Sequence, residues 1–395
     1  MTMIIISQNT RDFIQRHRDD DVRQLALRGC KDPDVDSPFA LQQIQGRQKA
    51  KEKLPDYFAN DEILYPPTVS MEQCSSTLTA KFKASLVSGE SFADLSGGFG
   101  VDALAMAKVF ERGYYVEPMS ELCELVQHNS NALNIKNLQI TNKVMEEVLP
   151  MLPEVDVIYL DPSRRNEHGQ RVVTLQECTP DLTQYKEPIL KKARKQVLVK
   201  LSPMLDLKAT LTLLPETSAI YVVAVNGECK EILFLLSHNT SEKVDYHAVN
   251  IQNEHISDFQ FSSMEETEAV PLLADELGTY LLEPNAAVLK AGAFKCIATR
   301  YGLQKLHPHT HLYTCNALPE NFPGRCFRIL NHFHYNKKEA AKHLAGLKKA
   351  NIAVRNFPLS AEELRKQLKL TDGGDIYLFG ATMREGELVV IVGKK

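Results

Sequence analysis

The sequence predicts an α/β fold, in which a parallel sheet ends in an antiparallel hairpin, with a helical region before it and smaller α+β modules after it. Two observations carry this prediction. From residue 91 onward, five short apolar runs alternate with helical stretches, which is typical of parallel strands joined by right-handed crossovers. The last of them precedes two β-rich runs, IYVVAV and EILFLL, joined by Asn226-Gly227, a strong hairpin signal.

The chain has 395 residues, of which 44% are hydrophobic, and this length indicates more than one core. Residues before the sheet alternate polar with apolar side chains at helical spacing between proline breaks. We predict five segments: a helical N-terminal region (1–90), the sheet domain (91–240), an acidic connector containing strands (241–274), a small α+β module (275–321) and a basic C-terminal module (322–395). Within the fourth segment, LLEPNAAVLKAGAFKCIATRYG predicts a helix that leads into a short strand, HLYT.

Charge is distributed unevenly along the chain. The whole chain has a net charge of −4, yet residues 322–395 contain 14 Lys and Arg against 7 Asp and Glu. Residues 241–283 show the reverse, with ten acids and one base, Lys243. The basic module indicates an anionic partner, although an ordinary solvated charge surface explains the same counts.

Several classes of protein and site are not expected. No apolar run approaches the ~20 residues of a membrane span, and the N-terminus lacks the features of an export signal, so we expect a cytoplasmic protein without a membrane partner. Eight cysteines without a CxxC pair argue against a zinc ribbon and a disulfide scaffold. His307, His309 and His311 alternate, which would place three imidazoles on one strand face, but no Cys or acid lies at ligand spacing and we expect no metal.

A glycine-rich turn follows the first predicted strand in FADLSGGFGVDALAMA. The pattern Asp-x-Ser-x-Gly-x-Gly lacks the third glycine of the dinucleotide motif, which favours S-adenosylmethionine (SAM) over NAD. Glu117 ends the second strand at a spacing where an acid can receive ribose hydroxyls. A tight turn beside a surface glutamate is the alternative. The predicted cofactor-binding residues are Asp94, Ser96, Gly97, Gly98, Gly100, Asp102, Glu117 and Pro118.

The stretch VIYLDPSRR ends a buried strand in Asp161 and Pro162. The Asp161 carboxylate and the Pro162 carbonyl can accept both protons of an exocyclic amine, so these two are the predicted catalytic residues. In the alternative, Asp161 forms an ion pair with one of the following arginines and caps the loop. The predicted substrate-side residues are Ser163, Arg164, Arg165 and Lys200.

Two further groups are weaker candidates. Ser75, Ser76, Thr79 and Lys81 precede the first strand and could cover the methionine end of the cofactor, but a helix start explains them equally well. Ser202 and Pro203 close the fifth strand, so they should face the same crevice as Asp161.

The stretches YPPTVSMEQCSSTLTAKFKASL, DLSGGFGVDALAMA, DPSRR, VKLSP, NGECKEILF and LLEPNAAVLKAG, with the tail RNFPLSAEELRKQLKLTDGGDIYLFG, resemble bacterial class I SAM-dependent methyltransferases that carry a C-terminal THUMP-like domain. The resemblance covers nearly the whole chain. It implies a Rossmann-like sheet domain at 91–240, a ferredoxin-like module at 275–321 and a THUMP-like domain at 322–395, with RNA as a partner. A weaker similarity, confined to the sheet, links the chain to trimethylguanosine synthases.

The resemblance also exposes a departure at the fourth strand. Amino-methyltransferases continue this motif with a second proline and an aromatic ring, where this sequence has Ser163 and Arg164. The stacking ring is therefore replaced, although a guanidinium plane can stack on a base or pair with a phosphate. The leading hypothesis is an RNA-directed N-methyltransferase. The alternatives are a methyltransferase for a protein or small-molecule acceptor and a catalytically silent SAM or RNA binder, and the sequence does not indicate an oligomeric state.

Overall fold

A computed structural model describes residues 4–163, 175–238 and 243–395. The chain forms two compact units. The first consists of Met1–Ser218 and Leu233–Ser241, and the second consists of Ala219–Ile232 and Glu242–Lys395. The predicted substrate-side residues Arg164 and Arg165 lie outside the described residues. Across the described ranges, no helix combines the length and the hydrophobicity that crossing a membrane requires.

Helices precede the first strand, as the sequence predicts. Their first turns are stabilised by Ser7, Asp21, Asp36 and Ser76, each of which accepts a hydrogen bond from the backbone N–H three residues further on. These helices are α1 (Gln8–His17), α2 (Val22–Arg28), α3 (Ser37–Lys53), α4 (Pro55–Phe58), α5 (Thr68–Gln73) and α6 (Thr77–Ser85).

Five parallel strands follow, in the order β3-β2-β1-β4-β5. The strands are β1 (Ser91–Asp94), β2 (Arg112–Val116), β3 (Leu138–Thr141), β4 (Val155–Leu160) and β5 (Ala193–Leu201). The helices in this part are α7 (Val101–Met106), α8 (Ser120–Ala132), α9 (Met145–Val148), α10 (Leu182–Lys192) and α11 (Leu207–Leu213), with a 3-10 turn at Leu175–Glu177. The strand order reverses between β1 and β4, and ligands of such sheets bind beyond the strand ends at that point.

The predicted hairpin consists of β6 (Thr217–Val225) and β7 (Glu228–Ser237). Asn226 and Gly227 have φ values of 51° and 83°, the left-handed pair that a two-residue hairpin turn requires. The predicted parallel sheet with a terminal hairpin is thus confirmed. Two further strands, β8 (Asp245–Gln252) and β9 (His255–Ser262), lie in the predicted acidic connector, and over the described residues the sheet order is β3-β2-β1-β4-β5-β7-β6-β8-β9.

A second sheet occupies the C-terminal part. Its strands are β10 (Tyr280–Pro284), β11 (Gln304–His307), β12 (Thr310–Cys315), β13 (Gly324–His334), β14 (Asn351–Arg355), β15 (Ile376–Thr382) and β16 (Leu388–Lys394). The helices are α12 (Ser263–Glu268), α13 (Ala286–Ala291), α14 (Cys296–Tyr301), α15 (Lys337–His343) and α16 (Ala361–Leu368). The order is β11-β12-β10-β13-β16-β15-β14, and β10 pairs with β13, so the sheet continues across residues 321–322.

The predicted single helix over LLEPNAAVLKAGAFKCIATRYG is wrong. LLEP belongs to β10, and the rest forms two short helices, because Asn285 caps the start of α13 and Gly292 ends it in the left-handed conformation. At the start of α14, the Glu266 carboxylate accepts the backbone N–H groups of three successive residues from Phe294 to Cys296. A side chain of α12 thus caps the N-terminus of α14.

The three alternating histidines do not share a strand face, so that expectation is also wrong. His307 ends β11 and β12 begins at Thr310, which leaves His309 in the turn. The His311 ring stacks on Phe294 with 3.6 Å between ring centroids. In the described part of the chain, no group of three or more His, Cys, Asp and Glu side chains is arranged to hold a metal.

Asp156 fixes the start of β1 against β4. Its Oδ2 accepts the backbone N–H groups of Glu90 at 2.7 Å and Ser91 at 3.0 Å. Arg194 lies 3.6 Å from its other oxygen. Burial raises the pKa of Asp156, but the hydrogen bonds from Ser91 and Glu90 and the charge of Arg194 outweigh it, and the pKa lies below its usual value of 3.8.

We predict that Asp156→Ala lowers the free energy of unfolding by about 1–3 kcal/mol at pH 7, because two N–H groups lose their acceptor. Since the folded pKa is depressed, this stabilisation is present above about pH 4 and disappears as the pH falls through the folded pKa. Urea denaturation measures the free energy of unfolding, and hydrogen exchange over β1 and β4 shows whether the loss is local to these strands. Asp61→Ala, which removes a 66%-exposed partner of Arg47, should change stability by less than about 1 kcal/mol. Equal effects of the two variants at pH 7 would contradict the prediction.

Candidate functional site

The end of β1 carries Asp94, which is 1% exposed. Its Oδ1 accepts the Ser96 backbone N–H at 2.9 Å and the Ser96 hydroxyl at 3.1 Å. Burial, then the neighbouring carboxylates of Asp102 and Asp161, raise the pKa of Asp94 to about 8 against the lowering effect of the Ser96 hydrogen bonds. Burial at this position therefore favours the neutral form of the Asp94 carboxyl.

The turn between β1 and α7 lies close against β2. A Cβ on Gly97 would come within 2.5 Å of the Tyr115 ring, and Gly100 has a φ of 75°, so both positions require glycine. Gly98 donates its N–H to the Glu117 carboxylate at 2.8 Å and accepts the Tyr115 hydroxyl at 2.6 Å. The backbone of this turn is therefore fixed by side chains of the neighbouring strand.

Glu117 directly follows β2 and is 7% exposed. Besides Gly98, its carboxylate accepts the Met119 N–H at 2.9 Å. Each carboxylate oxygen has a second acceptor position, so a ligand hydroxyl can bind beside these contacts. Pro118 is exposed, and its carbonyl accepts a hydrogen bond from the Asn142 side chain at 2.9 Å. The structure thus brings Glu117 and the glycine turn together.

A buried polar cluster surrounds Asp102 in the first turn of α7. The fully buried Lys83 ammonium lies 3.2 Å from one carboxylate oxygen. The other oxygen accepts the hydroxyls of Ser75 at 2.7 Å and Tyr159 at 2.9 Å. Burial raises the pKa of Asp102, but Lys83, Lys200 and the two hydroxyls together bring it below its usual value. Asp102 is therefore held as an anion inside the protein.

Asp161 lies immediately after β4, next to the glycine turn. Its backbone N–H donates to the Ser96 hydroxyl at 2.7 Å, which links the predicted acceptor side to the predicted cofactor side. Its carboxylate forms an ion pair with Lys200 of β5. Pro162 is buried. Lys200 and Asp161 therefore meet, as expected from their places on adjacent strand ends.

The other predicted acceptor-side residues lie around this pair. Ser163 is exposed, and its backbone N–H and carbonyl pair with Thr179 at 2.8 and 3.0 Å. Ser202 is buried, and its hydroxyl accepts the Met204 N–H at 3.1 Å, whereas Pro203 is half-buried. These contacts anchor the chain on both sides of Asp161.

The serine- and threonine-rich stretch before β1 divides into two roles. Ser76 and Thr79 form a reciprocal cap at the start of α6, so the helix-start explanation accounts for both. Lys81 is 60% exposed and pairs with Asp56. Ser75, by contrast, belongs to the Asp102 cluster.

Three members of this site were not predicted from the sequence. Lys83 and Tyr159 complete the Asp102 cluster, and a tyrosine within a wholly buried strand was a usable signal, because a buried phenol needs a hydrogen-bond partner. Lys53 donates to the carbonyls of Met71 at 3.0 Å and Glu72 at 2.8 Å, and burial lowers its pKa. Nothing in the sequence around Lys53 distinguishes it from other surface lysines.

The comparisons with known proteins cover the whole chain. A ferredoxin-like domain model matches residues 280–323, and a THUMP domain-like model matches residues 324–395. Two strains of Mycobacterium tuberculosis have a relative described as an uncharacterized SAM-dependent methyltransferase, 23% identical over 307 residues, which are 76% of this chain and 80% of the relative. An uncharacterized RNA methyltransferase of Enterococcus faecalis is 33% identical over 106 residues, which are 26% of this chain and 23% of that protein.

A crystal structure gives the most extensive match among these. The protein, a presumed methyltransferase from Porphyromonas gingivalis W83, is 33% identical, both chains are covered completely, and the TM-score is 0.89. Together with the glycine turn at the strand end, these matches establish SAM as the cofactor. The chain belongs to the class I SAM-dependent methyltransferases that carry C-terminal ferredoxin-like and THUMP-like domains.

Proposed function

We propose that this methyltransferase transfers a methyl group to an amino nitrogen of an RNA base. The observation that carries the proposal is the Asp161 carboxylate, which forms an ion pair with Lys200 and is joined through Ser96 to the glycine turn. A carboxylate held there, followed by the Pro162 carbonyl, can accept both protons of an amino group. The rest of the proposal assigns the cofactor to the turn and the RNA to the basic C-terminal module.

The residues present fit SAM. The turn offers backbone groups rather than side chains to a ligand. Gly97 has no room for a Cβ, and the space beside Gly98 is open, since a Cβ there would meet nothing closer than 3.8 Å. Glu117 would receive the ribose hydroxyls, and Asp94, Ser96 and Asp102 would line the remainder of the site. When bound, SAM supplies a sulfonium methyl group that is open to attack by a lone pair.

Asp161 and Pro162 would orient the acceptor rather than react covalently. Two hydrogen bonds from the amine to these oxygens fix the nitrogen, which is catalysis by positioning. As the new N–C bond formed and the C–S bond of the sulfonium broke to leave a neutral thioether, positive charge would pass to the nitrogen, where the Asp161 carboxylate would stabilise it. The surplus proton then leaves from the methylated nitrogen to the carboxylate or to water. The ion pair with Lys200 holds the carboxylate in place before the acceptor binds.

RNA as the acceptor is supported by the charge of the C-terminal module, with 14 Lys and Arg against 7 Asp and Glu over residues 322–395. The THUMP domain-like match and the E. faecalis relative described as an RNA methyltransferase point the same way. A protein or small-molecule acceptor is favoured by one observation, namely that Arg164 stands where a base-stacking ring would be expected. We place the reaction in the cytoplasm, where its RNA substrates would be present.

The proposal is tested with tritiated SAM and total RNA from cells that lack the protein, followed by nucleoside analysis. We expect label in an N-methylated nucleoside, and no label when the RNA comes from cells that contain the protein. A parallel reaction uses whole lysate of the cells that lack the protein. Label in its protein or small-molecule fraction, with none in RNA, would support the alternative acceptor and contradict the proposal.

Replacing Glu117 by Ala should weaken SAM binding at least tenfold, because charge-assisted hydrogen bonds contribute roughly 1.5–3 kcal/mol. Calorimetry with SAM measures this. Glu121→Ala on the exposed first turn of α8 is the matched control and should leave the affinity unchanged. Since Glu117 also holds the Gly98 N–H, hydrogen exchange over the turn should be compared in both variants. Full SAM affinity in Glu117→Ala would refute the placement of the ribose.

Replacing Asp161 by Ala should lower turnover about 10²-fold or more while SAM affinity stays within a few-fold, because the acceptor role is realised mainly during attack. The assay is label transfer to the RNA identified above. If Asp161 served only as a structural partner of Lys200, the pattern would differ. The double variant Asp161→Ala/Lys200→Met would then regain activity lost by the single variant, since the charge that Asp161 balanced would also be gone. Such recovery would show that Asp161 only neutralises Lys200.

A further inference from the structure

The C-terminal unit contains a buried carboxylate that two arginines share. Glu283 of β10 is 3% exposed at its side chain. Its Oε2 accepts the Nε of Arg325 at 3.0 Å and also an Nη2 hydrogen of the same residue. Its Oε1 accepts the Nη2 of Arg355 at 2.6 Å. The carboxylate thus holds both guanidiniums in fixed positions.

The two guanidiniums are not buried with their partner. Arg325 is 47% exposed and Arg355 is 36% exposed at the side chain. A guanidinium has five N–H donors. The bonds to Glu283, together with the bond from Arg355 to the Val354 carbonyl, use only some of these donors. The cluster of one carboxylate and two guanidiniums keeps a net positive charge. The carboxylate of the cluster is buried, whereas both guanidiniums are partly exposed to solvent.

An aromatic ring lies beside the first arginine. The Arg325 guanidinium is 6.0 Å from the centre of the half-buried Tyr377 ring and 5.5 Å from that of the buried Phe327 ring. Asn356, which follows Arg355, is exposed and donates to His307 and Thr310. Nearby His311 is uncharged at neutral pH, since burial and then Lys305 lower its pKa to about 4.

We propose that Arg325 and Arg355, oriented by Glu283, form a binding site for an RNA phosphodiester, with Tyr377 as a stacking surface for the adjoining base. We call these four residues the arginine clamp. The planar guanidinium fork matches phosphate oxygens in a way that a lysine does not, and the buried carboxylate removes the flexibility that binding would otherwise have to overcome. Rings beside cationic grooves are how single-stranded RNA is held without sequence readout.

The clamp extends the proposed function, and it is tested by RNA binding rather than by methyl transfer. The probe is a fluorescein-labelled single-stranded RNA of mixed sequence, titrated with the full-length protein at several salt concentrations. A triple variant, Glu283→Gln/Arg325→Gln/Arg355→Gln, replaces all three charged groups by amides and so removes the clamp without leaving a buried charge unpaired. We expect at least tenfold weaker binding and a slope of log K against log salt that falls by about 0.7, the value for one phosphate contact on a single strand.

Two further variants separate geometry from charge. Arg325→Lys/Arg355→Lys keeps both charges but loses the fork, so affinity should fall several-fold while the salt slope stays within about 0.3 of wild type. Arg384→Gln, which removes an exposed partner of Asp275 from the same unit, is the matched control and should change affinity less than about twofold. Unchanged SAM binding and thermal stability in each variant establish that the fold is intact.

The outcomes separate the clamp from the proposed reaction. Full RNA affinity and salt slope in the triple variant, or no RNA binding by wild type, would overturn the clamp. If the triple variant loses the RNA binding that the wild-type protein shows, but the wild-type protein transfers no methyl group to RNA, the clamp is supported and the proposed reaction is refuted. Methyl transfer to RNA that the triple variant performs with an unchanged KM would refute the clamp and retain the reaction.

Discussion

The ion pair between Lys83 and Asp102 is the interaction on which the candidate site depends. The ends of β1 and β4 and the start of α7 meet at one edge of the sheet, so the carboxyl groups of Asp94, Asp102 and Asp161 lie near one another. Lys83, fully buried, keeps Asp102 ionised, and Lys200 pairs with Asp161. Burial, and then the charges of Asp102 and Asp161, raise the pKa of Asp94 to about 8. Removing Lys83 would take away the one ammonium group shown in contact with the buried Asp102 carboxylate, and this should destabilise the site.

The fold was predictable where its signals are local. Alternating apolar runs and helical stretches identified the parallel strands, and Asn226-Gly227 identified the hairpin, because the turn conformation is encoded in those two residues. The predicted helix over LLEP failed because four residues of that composition fit a strand or a helix, and pairing with β12 and β13 decides between them. Asn285 and Gly292 were the available signal, since a cap and a left-handed glycine mark both ends of α13.

The site was predictable in position but not in its pairings. Asp94, Glu117 and Asp161 were found because each follows a predicted strand. The alternative for Asp161 assumed one of its sequence neighbours as partner, whereas Lys200, 39 residues away, lies beside it because β5 is adjacent to β4. Lys81 and Lys83 look alike in sequence, yet one is 60% exposed and the other fully buried. A two-residue rotation about α6 separates them, and charge counts carry no information on that rotation.

The same limit applies to the basic C-terminal module. Its net positive charge favours an anionic partner, but it does not indicate which charges can act together. Arg365 and Arg384 pair with exposed aspartates, whereas Arg325 and Arg355 converge on Glu283. In the strand order, β10 is separated from β14 by β13, β16 and β15, so Arg355 reaches Glu283 because the sheet curves. The clamp is therefore a product of sheet curvature, and a substitution that flattened the sheet would separate its two arginines while leaving the charge of the module unchanged.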